Sequence, residues 1–243
     1  MLKKWSLTIL LLVSSFLIYP PAIAESPKQI TYIAIGDSLT AGLGSSEENH
    51  LRIHGFVPQF TKYLREDHNV TVENYGIPGL SSIGLLTLLT ADEALQNRLK
   101  TAGVISVSIG GNDFLQTIRS VPEGEDESAL NLRMEILKRT YQETYKQLRE
   151  LNPDATIILL GLYNPYPDGH ELTDLGAKYA PLFNGFIEEY AEEEKTLVID
   201  PYDAFKGNAL VWTHIKKEDI HPNDIGYSEI VRLMKAAYEQ YKE

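Results

Sequence analysis

Five short stretches rich in aliphatic and β-branched residues recur along the chain, at Ile30–Ile35, Val70–Gly76, Val104–Ile109, Thr156–Leu162 and Thr196–Asp200. Most are continuous apolar runs of strand length that end in glycines or small polar residues, a pattern that predicts buried β-strands. Between them, apolar residues recur every three or four positions. This predicts amphipathic helices over Phe56–His68, Ile83–Lys100 with a break near Thr90–Asp92, Asn131–Leu151, Leu172–Glu194 and Asn223–Glu243. Asn152-Pro153 ends the third of these, because proline cannot continue a helix. Ser45–His54 and the acidic Pro122–Ser128 read as solvated loops. Strand and helix alternate about five times, and unbroken apolar strands need cover on both faces. The expected fold is therefore α/β, a three-layer α/β/α sandwich around a parallel sheet. Right-handed crossovers bring the carboxyl ends of all the strands to one edge.

The first 24 residues break this pattern. Lys3 and Lys4 precede an apolar segment from Trp5 to Ile18, and Pro20-Pro21-Ala22-Ile23-Ala24 supplies the small residues of a secretory cleavage site. The segment is expected to be a signal peptide, or an uncleaved anchor, with the protein secreted and one domain occupying 25–243. The apolar part is short for a membrane span, so no stable membrane insertion is expected after cleavage. With no cysteine in 243 residues, there are no disulfides and no thiolate chemistry, and a domain of this size can be stabilised by its core alone. Cleavage would remove two basic residues and no acidic one, leaving 20 basic against 34 acidic. So acidic a surface repels phosphate backbones and anionic lipid, which excludes nucleic acid as the expected partner.

Polar residues gather where the strands end. Ser38 follows the first run, at the edge where parallel sheets bind their ligands. Gly36 permits a tight turn just before it, and the bland alternative is that Ser38 caps a helix. The Gly76–Gly79 turn, Asn112 after two glycines, and Lys217-Glu218-Asp219-Ile220-His221-Pro222-Asn223 end other segments on the same edge. These residue types suit acyl transfer. A serine hydroxyl needs a base to take its proton, an imidazole does so near neutral pH, and a carboxylate holds that imidazole in one tautomer. The developing oxyanion needs fixed donors, which the amides of Ser38 and Gly79 and the side-chain amide of Asn112 can supply. His50, His54, His68, His170 and His214 show no metal-ligand spacing, and no metal site is expected.

Gly36-Asp37-Ser38-Leu39, Asn74-x-Gly76-x-x-Gly79, Gly110-Gly111-Asn112-Asp113 and His221-Pro222-Asn223 resemble, in order, the four sequence blocks of the SGNH hydrolases, or GDSL esterases and lipases. The resemblance runs from about Ile30 to the C-terminal helix. It implies a flavodoxin-like sheet of five parallel strands, with Ser38 as nucleophile and His221 as base. Ser38, Gly79 and Asn112 would form the oxyanion hole, and no metal or cofactor would take part. The family's last block usually has Asp three residues before His. Here Glu218 holds that position and is the expected orienting acid, with Asp219 as the alternative.

The expected function is that of a serine esterase or lipase-like hydrolase acting on a small-molecule or lipid ester. An O-acetylesterase acting on carbohydrate or cell-wall glycan is the alternative on the same fold, and a non-catalytic secreted binding protein the third reading. Phosphate binding at Gly36–Gly44 is disfavoured, because no nucleotide-binding glycine motif is present. Leu80, Ile83, Leu85, Leu86 and the Tyr163–Tyr166 loop are candidates to line an acyl pocket.

Overall fold

The computed structural model describes residues 27–46, 52–121 and 126–242. The expected signal segment, 1–24, lies outside the described residues, as do 47–51 and 122–125 of the two expected loops. Five strands form one sheet: β1 (Lys28–Gly36), β2 (His68–Gly76), β3 (Val104–Ser108), β4 (Thr156–Leu160) and β5 (Thr196–Ile199). All neighbours pair in parallel in the order β2-β1-β3-β4-β5, as expected of a flavodoxin-like sheet. Every residue of β3 and β4 is buried, because helices cover both faces. β2 has a free edge, and of its residues only Val70 is buried.

The helices are α1 (Phe56–Leu64), α2 (Ser82–Ala91), α3 (Glu93–Leu99), α4 (Gly111–Ile118), α5 (Asp126–Leu151), α6 (Thr173–Glu188), α7 (Tyr202–Phe205), α8 (Ala209–Trp212) and α9 (Asp224–Lys242). The predicted break near Thr90–Asp92 is real: Asp92 ends α2 and caps α3, accepting a 3.0 Å hydrogen bond from the Leu95 amide. α5 begins five residues before the predicted start and takes in the end of the expected acidic loop. The short α4, α7 and α8 are additions to the predicted helices, being too brief to show a periodic stripe.

Strand period two divides the core. Ile33 and Ile35 of β1 face α2 to α6 together with Ile105, Val107, Ile157 and Leu159. Tyr32 and Ala34 face α1, α7 and α9 with Val104, Ile158 and Leu160. The order reverses between β2-β1 and β3-β4-β5, so a crevice opens beyond the carboxyl ends of β1 and β3, the usual ligand position in such sheets. Ser38 follows β1 and Asn112 follows β3.

Candidate active site

Ser38 is aimed by a turn tied down from both sides. Gly36 has φ of 144°, and a Cβ there would lie 2.1 Å from the Ser108 carbonyl oxygen. Only glycine fits that conformation and that gap. Gly36→Ala is expected to destabilise the protein by at least about 2 kcal/mol, combining backbone strain with overpacking, as read from its chemical denaturation midpoint. The next residue, Asp37, donates its amide to the Ser108 carbonyl at 3.0 Å. Its Oδ1 accepts from the Leu39 amide at 3.0 Å and from Ser108 Oγ at 2.9 Å. Ser108 Oγ also lies 2.7 Å from Thr40 Oγ1. This cluster fastens the Ser38 turn to the end of β3.

Burial pushes the Asp37 carboxyl up from 3.8 to about 6, against the opposing pull of its hydrogen bonds to Leu39 and Ser108. A folded state that holds this proton more tightly than the unfolded chain has its extra stability below about pH 4 and loses it as the pH rises through about 6. The shift is worth up to about 3 kcal/mol. Asp37→Asn cannot ionise, so its unfolding free energy should gain on the wild type by up to that amount between pH 4 and pH 7, as measured by denaturant titration at each pH.

His221 stands on a loop whose ends are paired. Thr213 and Pro222 form an antiparallel bridge, the His214 amide donates to the His221 carbonyl at 3.0 Å, and the Asn223 amide donates to the Trp212 carbonyl at 2.9 Å. Gly44 lets the β1–α1 connection press against this loop, since a Cβ there would collide with the Pro222 carbonyl and His221 Cβ. Tyr163 donates its hydroxyl to the Ile220 carbonyl at 2.8 Å and stacks on Phe205 with ring centroids 4.3 Å apart. The residue before His221 is thereby pinned from the β4 side.

Asp219, not Glu218, is the carboxylate beside His221. Asp219 Oδ1 lies 2.5 Å from His221 Nδ1 and accepts the His221 amide at 3.0 Å. Partial burial pushes the Asp219 carboxyl up, but the hydrogen bonds and charge of His221 outweigh it and hold the group below its ordinary range. Glu218 has φ of 60°. That left-handed turn directs its side chain outward, 86% exposed, with its carboxylate 4.0 Å from His170 Nε2. The expectation for Glu218 assumed a spacing of three from acid to His. The turn after the 3-10 segment Ile215–Lys217 shortens the spacing to two. With the Nδ1 proton directed at Asp219, Nε2 is the basic nitrogen of the ring.

Asn112 lies in the first turn of α4, and its Nδ2 donates to the Leu80 carbonyl at 3.0 Å, leaving the second amide hydrogen for another acceptor. The Gly79–Ser82 turn is bolted to the same helix. Gln116 Nε2 donates to the Gly79 carbonyl at 3.0 Å, and the buried Asp113 carboxylate accepts from the Ser82 amide at 2.8 Å and Ser82 Oγ at 2.7 Å. Gly79 has φ of 81° and an exposed position. Ser38, Asn112 and His221 line one cleft of about 810 Å³, counted out to its open mouth, while Gly79 is outside that lining. Among the described residues no group of His, Asp or Glu gathers that could hold a metal ion.

The GDSL-like Lipase/Acylhydrolase family model matches residues 34–228. The chain belongs to this family. Spore germination lipase LipC of Bacillus licheniformis is 28% identical over 214 residues, which cover 86% of this chain and 96% of that protein. The crystal structure of the lipase Lip_vut3 from a goat rumen metagenome superposes with a TM-score of 0.74 at 28% identity, covering 86% of this chain and 97% of that one. A catalytic variant of Axe2, an acetylxylan esterase from Geobacillus stearothermophilus, shares the fold at a TM-score of 0.63 and 17% identity, over 87% of this chain and 94% of that one.

In this GDSL-like hydrolase the cleft wall differs from the expected one. Leu85 is buried in the core and Ile83 is 48% exposed, and neither they nor Leu80 and Leu86 line the cleft. The wall comes instead from α4, α6, Leu130 of α5, and Leu162–Tyr166. The Tyr163–Tyr166 loop is where it was expected. Phe114, Leu115 and Ile118 after the Gly110-Gly111-Asn112 motif were a visible apolar signal for the rest. Their helix is only eight residues long, so the pattern lacked the length to announce itself. The Asp37–Ser108–Thr40 cluster joins residues about 70 positions apart and had no local signature. Among the described residues, no helix is long and apolar enough to cross a membrane.

Proposed function

We propose that this hydrolase cleaves carboxylic esters through an acyl-enzyme on Ser38, with the acyl group seated in the apolar cleft. The carrying observation is that Ser38, Asn112 and His221 share that cleft while Asp219 holds His221 Nδ1 at 2.5 Å. In the proposed sequence Ser38 Oγ attacks the ester carbonyl carbon as His221 Nε2 takes its proton. The oxyanion is met by the amides of Ser38 and Gly79 and the free hydrogen of Asn112 Nδ2. Collapse breaks the bond to the alcohol oxygen, which leaves with the proton from His221. Water, deprotonated by the same nitrogen, then releases the acid and restores Ser38.

The names of LipC and Lip_vut3 support a lipase-like substrate for this chain. The apolar wall supports it too, since Leu39, Leu162 and Pro165 offer a hydrocarbon contact and no hydrogen bonds to a sugar. The test is hydrolysis of p-nitrophenyl esters from acetate to palmitate alongside acetylated xylan. Rates that rise with chain length beyond acetate support the reading. Release of acetate from xylan with no simple ester cleaved would replace it by glycan deacetylation. Asn112→Ala should lower kcat by about 10² to 10³, the scale of losing one oxyanion donor, in steady-state assays.

We also propose export through residues 1–24. N-terminal sequencing of the protein recovered from culture medium should begin at Glu25, and recovery with membranes at full length would make the segment an anchor.

A further inference from the structure

Asn112, Leu115 and Ile118 of α4 all face the cleft. Gly111, Phe114, Leu115 and Ile118 line it as a stripe at the i, i+3, i+4, i+7 spacing of one helix face, with Asn112 beside the first of them. Asn112 stands at the reacting end with Ser38 and His221, and Ile118 lies about 9 Å further along the axis at a rise of about 1.5 Å per residue. The cleft therefore runs lengthwise along α4. Leu175 and Tyr179 of α6, four residues apart, accompany it.

The wall is shaped before substrate arrives. A Cβ at Gly176 would collide with Asn164 Oδ1, so α6 lies hard against the Leu162–Tyr166 loop. Asn164 in turn donates to the Thr173 carbonyl and accepts the Tyr166 amide, both at 3.1 Å. Of the tyrosine hydroxyls along this wall, Tyr163 Oη donates to the Ile220 carbonyl and is directed away from the stripe. Tyr179 Oη is occupied by Asn131 Oδ1 at 2.9 Å, and its ring packs on Phe114 at 5.6 Å. The stripe offers hydrocarbon from Leu115 to Ile118.

We propose that this stripe is an acyl-chain ruler that makes medium-chain esters, of about eight carbons, the preferred substrates. The inference rests on the ester-hydrolase reading above. An extended chain advances about 1.3 Å per methylene, so a 9 Å stripe takes roughly seven carbons beyond the carbonyl. Each methylene buried there raises kcat/KM about fourfold. Carbons beyond Ile118 leave the wall and gain no burial, while ordering the longer chain costs rotational freedom, so kcat/KM falls past that point.

The experiment is the kcat/KM profile on p-nitrophenyl esters from acetate to palmitate for the wild type, Leu115→Trp and Ile118→Ala, with calorimetric binding of octanoate and butyrate to the wild type. The wild-type maximum should fall near octanoate, at least about 10² above acetate. Leu115→Trp blocks the stripe halfway and should lower the octanoate-to-acetate ratio at least 100-fold. Ile118→Ala removes the far end of the wall and should move the maximum inward by two carbons or more. Ile118 is half-buried at the end of its helix, so this second variant keeps the test open should the tryptophan disturb folding. A flat profile, or a maximum that neither variant moves, overturns the ruler and leaves the hydrolase standing. Failure to cleave any ester counts against the hydrolase. In that case octanoate binding at least tenfold tighter than butyrate supports the ruler, and equal binding overturns it.

Discussion

Ser38→Ala should lower kcat on the best p-nitrophenyl ester by a factor on the order of 10⁶, the scale seen when a serine nucleophile acting with a histidine base is removed. The physical reason is that the proposed mechanism routes the acyl group through Ser38 Oγ. His221 without Ser38 can still activate water, and the oxyanion donors remain, so a small residual rate above background is expected. The fold should survive. Ser38 is only half-buried, and the contacts that hold its turn belong to Gly36 and Asp37. Unfolding free energy within about 1 kcal/mol of the wild type is expected, as for surface substitutions outside special features. The variant should still bind medium-chain fatty acid with wild-type affinity by calorimetry, since the apolar wall is untouched. Hydrolysis by the purified variant within tenfold of the wild type would remove Ser38 from its role.

Asp219→Asn should cost about 10⁴ in kcat, because an amide in place of the carboxylate favours the wrong imidazole tautomer while leaving the geometry intact. Glu218→Gln should change kcat less than about threefold, as expected of an exposed charge screened by solvent. The contrast follows from the turn. Asp219 Oδ1 binds both the amide and the ring of His221, whereas the Glu218 side chain points into water. The Asp219 carboxyl is held below its ordinary range, so what it adds to stability is present near neutral pH and lost as acid protonates it. Asp219→Asn should therefore flatten the acid limb of the denaturation profile. Equal kinetic losses in the two variants would show that neither carboxylate orients His221 by itself.

Much of this molecule was legible in one dimension. The strands β1, β3 and β4 are unbroken apolar runs because helices bury both of their faces, and that necessity is written residue by residue. Element boundaries shifted by a few positions where caps and turns, not periodicity, decide them, as at the start of α5. α7 and α8 left no trace because four residues cannot show a helical stripe. The acid was misplaced for a related reason. A spacing borrowed from a motif presumes a backbone path, and the left-handed conformation at Glu218 changes that path.

By itself, the sequence determined the layer architecture, the edge on which the polar motifs gather, and the convergence of Ser38, Asn112 and His221 on one cleft. It could do so because burial periodicity is local and parallel crossovers have one hand, so strand ends converge without knowledge of side-chain contacts. Only the tertiary structure decided which carboxylate faces His221, which helices wall the cleft, and how Asp37 anchors the Ser38 turn to β3. Each of these depends on a backbone rotation or on packing between residues far apart in the chain, and neither leaves a mark in the order of amino acids.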